Sequence, residues 1–376
     1  MFLDQSYNFG DNLCRLLICV KMKIKNETDN VGVKEIARLA KVGLATVDRV
    51  IHNRQGVSKS TRERIEKIIT QLNYQPNIFA RRLASRKVLE FATLIPSVSV
   101  ETNFWEAPLN GIEQASMEIR QNAIQVKKYF FDLNNKESFV KQATLILKSK
   151  PDGLLLAPTF VEESLSFLKK CKELNIPYVL INSDIPDQQA LCYIGPDIFQ
   201  SGYLCANLIS YLIGEQDRML LVNISNSTEQ YHELHRKEEG LRAYWANNEK
   251  NTLLTTINIK KTDFEAVANA LNQSFNLHPD IKLVLVSNSR VWMVAKYLKE
   301  RGDSHRLLIG FDYIGDNLKY LEDGIIDFLI CDKPKEQGYR GIMTLYNYIV
   351  FGMPVNNTYY MPIDIISREN HKFYRN

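Results

Sequence analysis

No apolar run in this 376-residue chain approaches the roughly 20 residues that a membrane-spanning helix requires. The longest early one, Leu16-Leu17-Ile18-Cys19-Val20, is followed by no small-residue cleavage site, and Asp4, Asp11 and Asn12 break the pattern before it. A secretory leader is therefore not expected. The six cysteines (Cys14, Cys19, Cys171, Cys192, Cys205, Cys331) form no CxxC pair, so neither a zinc site nor a disulfide framework is suggested. Reduced thiols without an export signal point to the cytoplasm. His232-Glu233-Leu234-His235 spaces its histidines three apart, not the four of a helical HExxH site. There is no Walker A sequence, no GxGxxG and no GxSxG elbow. These absences lead to the expectation of a non-enzymatic chain without metal or cofactor.

What is present is an ordinary globular composition, 45% hydrophobic and 24% charged, sufficient for two or three domains with cores. The net charge of +4 is unevenly spread. Residues 31–90 hold 13 Lys/Arg against 5 Asp/Glu, residues 1–30 balance, and residues 91–376 carry an acidic excess of 4. A small basic segment on a mildly acidic body points to a polyanionic partner for that segment. Residues 1–30 do not pattern as a packed element. They read as a disordered or spurious leader, with Met22 a plausible alternative start.

Helical periodicity begins at Val33. Ile36, Leu39 and Ala40 make an apolar face on a helix over 33–40. A break at Lys41-Val42-Gly43 leaves Gly43 free to take positive φ or to cap the next helix. That helix, 44–51, has Val47, Val50 and Ile51 at i, i+3, i+4. A third starts near Ser58 or Ser60. Ser60-x-x-Glu63 has the form of a capping box, and Ile65, Ile68, Ile69 and Leu72 form a buried stripe. Two short helices joined by a tight turn, completed by a third, describe a helix-turn-helix domain over 31–76.

The residues Val33-Lys34-Glu35-Ile36-Ala37-Arg38-Leu39-Ala40-Lys41-Val42-Gly43, then Ala45-Thr46-Val47-Asp48-Arg49-Val50-Ile51, then Gly56-Val57-Ser58, Leu72-Asn73-Tyr74-Gln75-Pro76-Asn77 and Ala80-Arg81-Arg82-Leu83-Ala84 closely resemble the lac repressor (LacI/GalR) family. The resemblance implies that Leu44 and Ala45 occupy the main base-reading positions, that Thr46 contacts phosphate, and that Arg49 reaches bases further along. Gly43 and Asp48 stand where most members have Ser, and His52 replaces a usual Asn. Asp48 is open to three roles: accepting from cytosine, pairing with Arg49 or a nearby lysine, or facing away. These departures lead to the expectation of an operator unlike that of better-known relatives.

Pro76-Asn77 stops the third helix and offers Asn77 as a new N-cap. The segment 77–87 is helix-compatible but too short to be stable alone. By the resemblance it is a hinge helix that orders against the operator. Leu83 would wedge into the minor groove beside small Ala80, with Arg81 and neighbouring basic residues on phosphates.

From residue 88 onward, strand-like and helix-like stretches alternate, which implies parallel sheets covered on both faces. The expected fold is a two-lobed α/β core, periplasmic-binding-protein-like by the resemblance. Its N-lobe would take about 88–195 and 334–352, and its C-lobe about 196–333 and 353–370. Effectors in such a core sit at the carboxyl ends of strands. Phe104, Trp105, Asn182, Arg236, Asn288, Asp312 and Asp332 are the candidate effector residues; amides, carboxylates and arginine suit vicinal hydroxyls, and aromatics suit a sugar ring. Asp332 departs from a commoner Gln and Asn182 from a commoner Asp. The whole reads as a homodimeric regulator, a repressor by expectation, of a near-palindromic double-stranded DNA operator, responsive to a sugar or sugar derivative. The competing class is a solute-binding or enzymatic α/β protein with a basic arm.

Overall fold

The computed structural model describes residues 33–51, 54–72, 88–99, 103–185, 189–226, 230–248 and 252–376. The expected leader, His52 and the whole hinge segment 77–87 lie outside them. The chain divides into two compact units, Met1–Ser85 and Arg86–Asn376.

In the first unit, α1 (Val33–Ala40), α2 (Leu44–Ile51) and α3 (Lys59–Gln71) enclose a small core of Ile36, Ala37, Ala40, Val47, Val50 and Ile65. Ala37 takes the buried position expected of Leu39, which is 41% exposed. In the turn it is Lys41 that takes a positive φ, 51°, and Gly43 takes the other role open to it: it caps α2, its carbonyl accepting from Thr46 N at 2.9 Å. The cap of α3 is Ser58, whose hydroxyl accepts from Thr61 N, rather than the Ser60 capping box.

The second unit holds two six-stranded sheets. The first contains β1 (Leu89–Pro96), β2 (Ile124–Phe131), β3 (Gly153–Leu156), β4 (Tyr178–Ile181), β5 (Cys192–Gly195) and β11 (Thr358–Tyr360), in the order β11-β5-β4-β3-β1-β2. Every pairing in it is parallel. The second contains β6 (Arg218–Ile224), β7 (Leu253–Ile259), β8 (Ile281–Val286), β9 (Leu307–Phe311), β10 (Phe328–Cys331) and β12 (Asp364–Ile366), in the order β12-β10-β9-β8-β6-β7. Only β12 runs antiparallel to its neighbour. Inner strands such as β3, β4 and β8 are almost wholly apolar because helices cover both faces.

Helices α4 (Glu106–Ile119), α5 (Lys136–Ser149), α6 (Val161–Glu173) and α12 (Pro334–Phe351) belong to the first lobe. Helices α7 (Ile198–Leu212), α8 (Gln230–Asn247), α9 (Phe264–Leu277), α10 (Val291–Glu300) and α11 (Gly315–Glu322) belong to the second. Several start on side-chain caps that the sequence supplies directly. Asn135, Asp197 and Asp263 each accept from a backbone N–H three residues on. The chain crosses between lobes at Pro196-Asp197, at Asp332-Lys333 and at Met361–Ile363. The stretch 353–370, expected wholly in the second lobe, is therefore split: β11 extends the first sheet and only β12 joins the second.

Each lobe clasps one helix pair through reciprocal glycines. A Cβ on Gly111 of α4 would lie 1.9 Å from Lys335 O, and one on Gly338 of α12 would lie 2.1 Å from Pro108 O. In the second lobe a Cβ on Gly202 of α7 would lie 1.8 Å from Lys237 O, and one on Gly240 of α8 would lie 1.9 Å from Phe199 O. Backbone cannot yield as a side chain can, so Gly240→Ala must part the two helices. We expect a loss of about 2 kcal/mol or more in thermal unfolding. Gly214→Ala, whose Cβ would meet only Asp217 Oδ2 at 3.5 Å, should cost much less.

Candidate functional site

The first unit presents one face of α2. Val47 and Val50 face the core, while Leu44, Ala45 and Arg49 are exposed and Thr46 is half-buried. Leu44 keeps 49% of its surface free. Asp48 pairs with Arg54 at 3.2 Å, a partner beyond those its sequence neighbours offered. Its charge is thereby offset by the loop after α2. His52, Asn77, Ala80, Arg81 and Leu83 lie outside the described residues.

In the second unit, six of the seven candidate effector residues line one cleft: Phe104, Trp105, Asn182, Asn288, Asp312 and Asp332. It holds about 950 Å³ of empty space, part of it open to solvent. Each of the six follows the carboxyl end of a parallel strand, where the backbone leaves the sheet and side chains converge. Phe104 and Trp105 follow β1 and pack edge to face, 5.1 Å between centroids, both nearly buried. Asn182 after β4 and Asp312 after β9 both take left-handed backbone, φ 68° and 72°. Such conformations are costly for residues with a Cβ and cluster at functional sites. Their local hydrogen bonds hold them there. Asn182 O accepts from Tyr193 Oη at 3.0 Å, and Asp312 O accepts from Asn317 Nδ2 at 3.0 Å. Asn288 is turned toward the protein: its Nδ2 donates to Ile224 O at 2.6 Å and its Oδ1 accepts from Arg290 N at 3.2 Å. It shapes the loop after β8 as much as it faces the cleft.

Arg236 is the residue not brought to this cleft. It lines the neighbouring groove with Ser183, Asp184 and Tyr360, half exposed, and pairs with Glu239 at 3.1 Å. One residue along α8, Lys237 enters the cleft instead, about 100° further round the helix. Its Nζ donates to Ser287 O at 2.9 Å and lies 3.9 Å from the Phe311 ring centroid. Glu233, one turn earlier, also lines the cleft and accepts from the Ser183 hydroxyl of the opposite lobe. The sequence held a signal for Lys237. Leu234, Leu241, Tyr244 and Trp245 form the buried stripe of α8, and position 237 falls within that stripe. A lysine in an apolar stripe needs a partner. Glu233 and Arg290 carried no comparable mark.

Three carboxyls, Glu233, Asp312 and Asp332, share this space with Lys237. Burial is the main cause raising all three above the ordinary carboxylate range. Asp312 is pushed up to about 7, with the charges of Asp332 and Glu233 adding and Lys237 opposing. Asp332 is pushed up to about 6, with Lys237 again opposing. Asp332 Oδ1 is shielded from solvent and has no hydrogen-bond partner among the described residues. The cleft floor comes from the crossings: Pro196, Asp332 and Ile363 all line it. The cleft is therefore bounded by both lobes and by the segments that join them.

The model of the periplasmic binding protein domain matches residues 91–352, and the model of the bacterial regulatory proteins of the lacI family matches residues 32–77. The chain is similar to the HTH-type transcriptional regulator RegA of Clostridium acetobutylicum, 28% identical over 186 residues, 48% of this chain and 52% of that one. It spans about half the length of the curated relatives it matches. Among solved structures, a candidate LacI transcriptional regulator from Bacteroides fragilis is 29% identical with a TM-score of 0.70, covering 77% of this chain and all of that one. A transporter solute-binding protein from Burkholderia graminis, solved with D-arabinose, has the same fold at 18% identity and TM-score 0.68, covering 77% of this chain and 99% of that one. Among the described residues, no helix is long and apolar enough to cross a membrane.

Proposed function

The chain belongs to the lacI family of bacterial regulatory proteins, with a periplasmic binding protein domain as its body, and from that premise we propose that it is a sequence-specific DNA-binding repressor controlled by a small carbohydrate-like effector. The observation that carries the proposal is the pairing of two features in one chain. One is a basic helical unit with an exposed recognition face. The other is an inter-lobe cleft floored by the crossings between lobes.

The chain acts as a homodimer, so that two copies of α2 read the half-sites of a near-palindrome. Leu44, Ala45 and Arg49 face base edges, and Thr46 and the surrounding lysines and arginines hold phosphates. Effector binding favours one lobe angle, and the hinge segment 77–87 transmits that bias by ordering or failing to order on the operator. A coupling of about 1–3 kcal/mol between effector and operator is sufficient for regulation. The likeness to sugar-binding solute proteins favours the carbohydrate class of effector. It equally supports the second reading, a solute-binding protein with a basic arm.

Selection from a random duplex DNA library, with and without a sugar panel, separates the two. A regulator enriches a near-palindrome whose retention changes with one sugar; recovery of no preferred sequence supports the second reading. Within the first reading, Leu83→Ala should weaken the selected operator far more than random duplex, as measured by anisotropy. Equal losses on both would reject the wedge role.

A further inference from the structure

We propose that the effector carries a positively charged amino group, as in an amino sugar or an amine-bearing polyol, seated against Glu233, Asp312 and Asp332. The inference rests on the reading of the cleft as the effector site and narrows its ligand class.

The argument is one of charge. The second lobe and the Asp332 crossing bring three carboxyls to the cleft, from the first turn of α8, the end of β9 and the end of β10. Two basic side chains stand with them, and both are engaged with the protein. Arg290 is 4% exposed and donates to Ile224 O at 3.3 Å. Lys237 donates to Ser287 O and lies against the Phe311 ring. The first lobe adds Phe104, Trp105, Leu133, Thr159 and Asn182 to the lining, none of them charged. One glutamate is shared with Ser183 across the cleft, which leaves Asp312 and Asp332 as the principal acids facing the ligand.

Acids gathered in a poorly solvated space must be neutralised by protons, by a metal or by a cationic ligand. Burial raises the pKa values of all three, which is the mark of that need. Among the described residues, no three His, Cys or acid side chains are placed to hold a metal ion. An anionic ligand would add repulsion to the acids already there. An ammonium group relieves the repulsion and offers three donors, one of them for the unpartnered Asp332 Oδ1. On the opposite wall, the Phe104–Trp105 pair suits both the apolar face of a sugar ring and a nearby cation.

The test uses the full chain, with calorimetry on neutral hexoses and pentoses and on their 2-amino-2-deoxy counterparts. At pH 7 the preferred amino sugar should bind at least ~10-fold tighter than its neutral parent, the size of effect expected of one charge-assisted contact. Between pH 7 and pH 5 its affinity should fall as Asp312 and Asp332 take up protons, because an amine of pKa about 8 stays charged over that range. Binding at pH 6 should release protons, read as a heat that depends on the buffer. The charged groups of the cleft are Glu233 and Lys237 on α8, Arg290 after β8, Asp312 and Asp332; the Tyr193 hydroxyl of β5, pushed by burial well above its ordinary value, stays neutral throughout. Asp332→Asn should reduce the ratio of amino to neutral affinity, and Phe104→Ala should weaken both series together. A neutral sugar that binds as tightly as its amino counterpart overturns this proposal alone. So does stabilisation by Ca²⁺ or Mg²⁺ without sugar. Failure of both series to bind overturns the carbohydrate reading and this proposal with it.

Discussion

Lys237→Met should destabilise the second unit by about 3 kcal/mol at pH 8 and by much less at pH 5, because it leaves buried carboxylates without their counter-charge. The sign follows from the direction of the shifts. Glu233, Asp312 and Asp332 all have folded pKa values above their ordinary range, and Lys237 opposes each rise. Removing it lifts the folded values further, while the unfolded values stay near 4. Above pH 4 the folded state then binds more protons than the unfolded state, so stability falls as pH rises. At pH 5 Asp312 and Asp332, pushed up to about 7 and about 6, are largely protonated in the fold and the missing cation matters less. Thermal unfolding of the variant and the wild type at both pH values reads the difference directly. Arg236→Met is the control. Its guanidinium is half exposed and bound to Glu239, so its loss should cost under about 1 kcal/mol at either pH. Equal penalties at the two pH values, or equal penalties at the two positions, would overturn the assignment of Lys237 as the cation of the cleft.

That prediction depends on a distinction of one residue that the local motif did not make. His235-Arg236-Lys237-Glu238-Glu239-Gly240 marks the right turn of α8, and an arginine is the more familiar partner of a sugar hydroxyl. Helix geometry decides otherwise. Gly240 faces α7, where Phe199 O leaves no room for a Cβ, and Lys237 lies one turn back on the same side. Strand ends were easier to read. Asn182, Asp312 and Asp332 are each the first polar residue after a buried apolar run, and Asn288 the second, after Ser287, so the rule that ligands sit beyond the ends of parallel strands marks them as candidates without any knowledge of the turn.

The same contrast runs through the fold. Long amphipathic helices and apolar strands such as α5 and β6 are legible in the sequence, because burial imposes a strong period or run. The short strands β5 and β11, of four and three residues, carry too little pattern to be read that way. β11 is exposed throughout and is held by its pairing to β5, so no burial pattern could announce it. At the start of α3, Ser58 and Ser60 both suit a cap by local sequence, and the structure takes Ser58, whose hydroxyl accepts from Thr61 N.

Arg49→Ala should weaken binding to the selected operator by roughly 10- to 100-fold, the value of one bidentate arginine–guanine contact. Non-specific binding should weaken far less. Arg49 is exposed on α2, while its neighbours Val47 and Val50 hold the core, so the variant should fold normally. Its position is also defined from the loop side. Gly56, with φ 94°, passes so that a Cβ there would lie 3.7 Å from Arg49 Nη1. Asp48, the adjacent acid, pairs with Arg54 at 3.2 Å. Salt separates the two ways in which an arginine can matter on DNA. If Arg49 reads a base, the variant relaxes sequence preference at one symmetric pair of positions and leaves the dependence of log K on log salt nearly unchanged. If it holds a phosphate, affinity for operator and random duplex falls alike and the salt slope drops by about 1. The second outcome would remove Arg49 from the reading face and leave sequence recognition to Leu44 and Ala45, through apolar contact with thymine methyl groups.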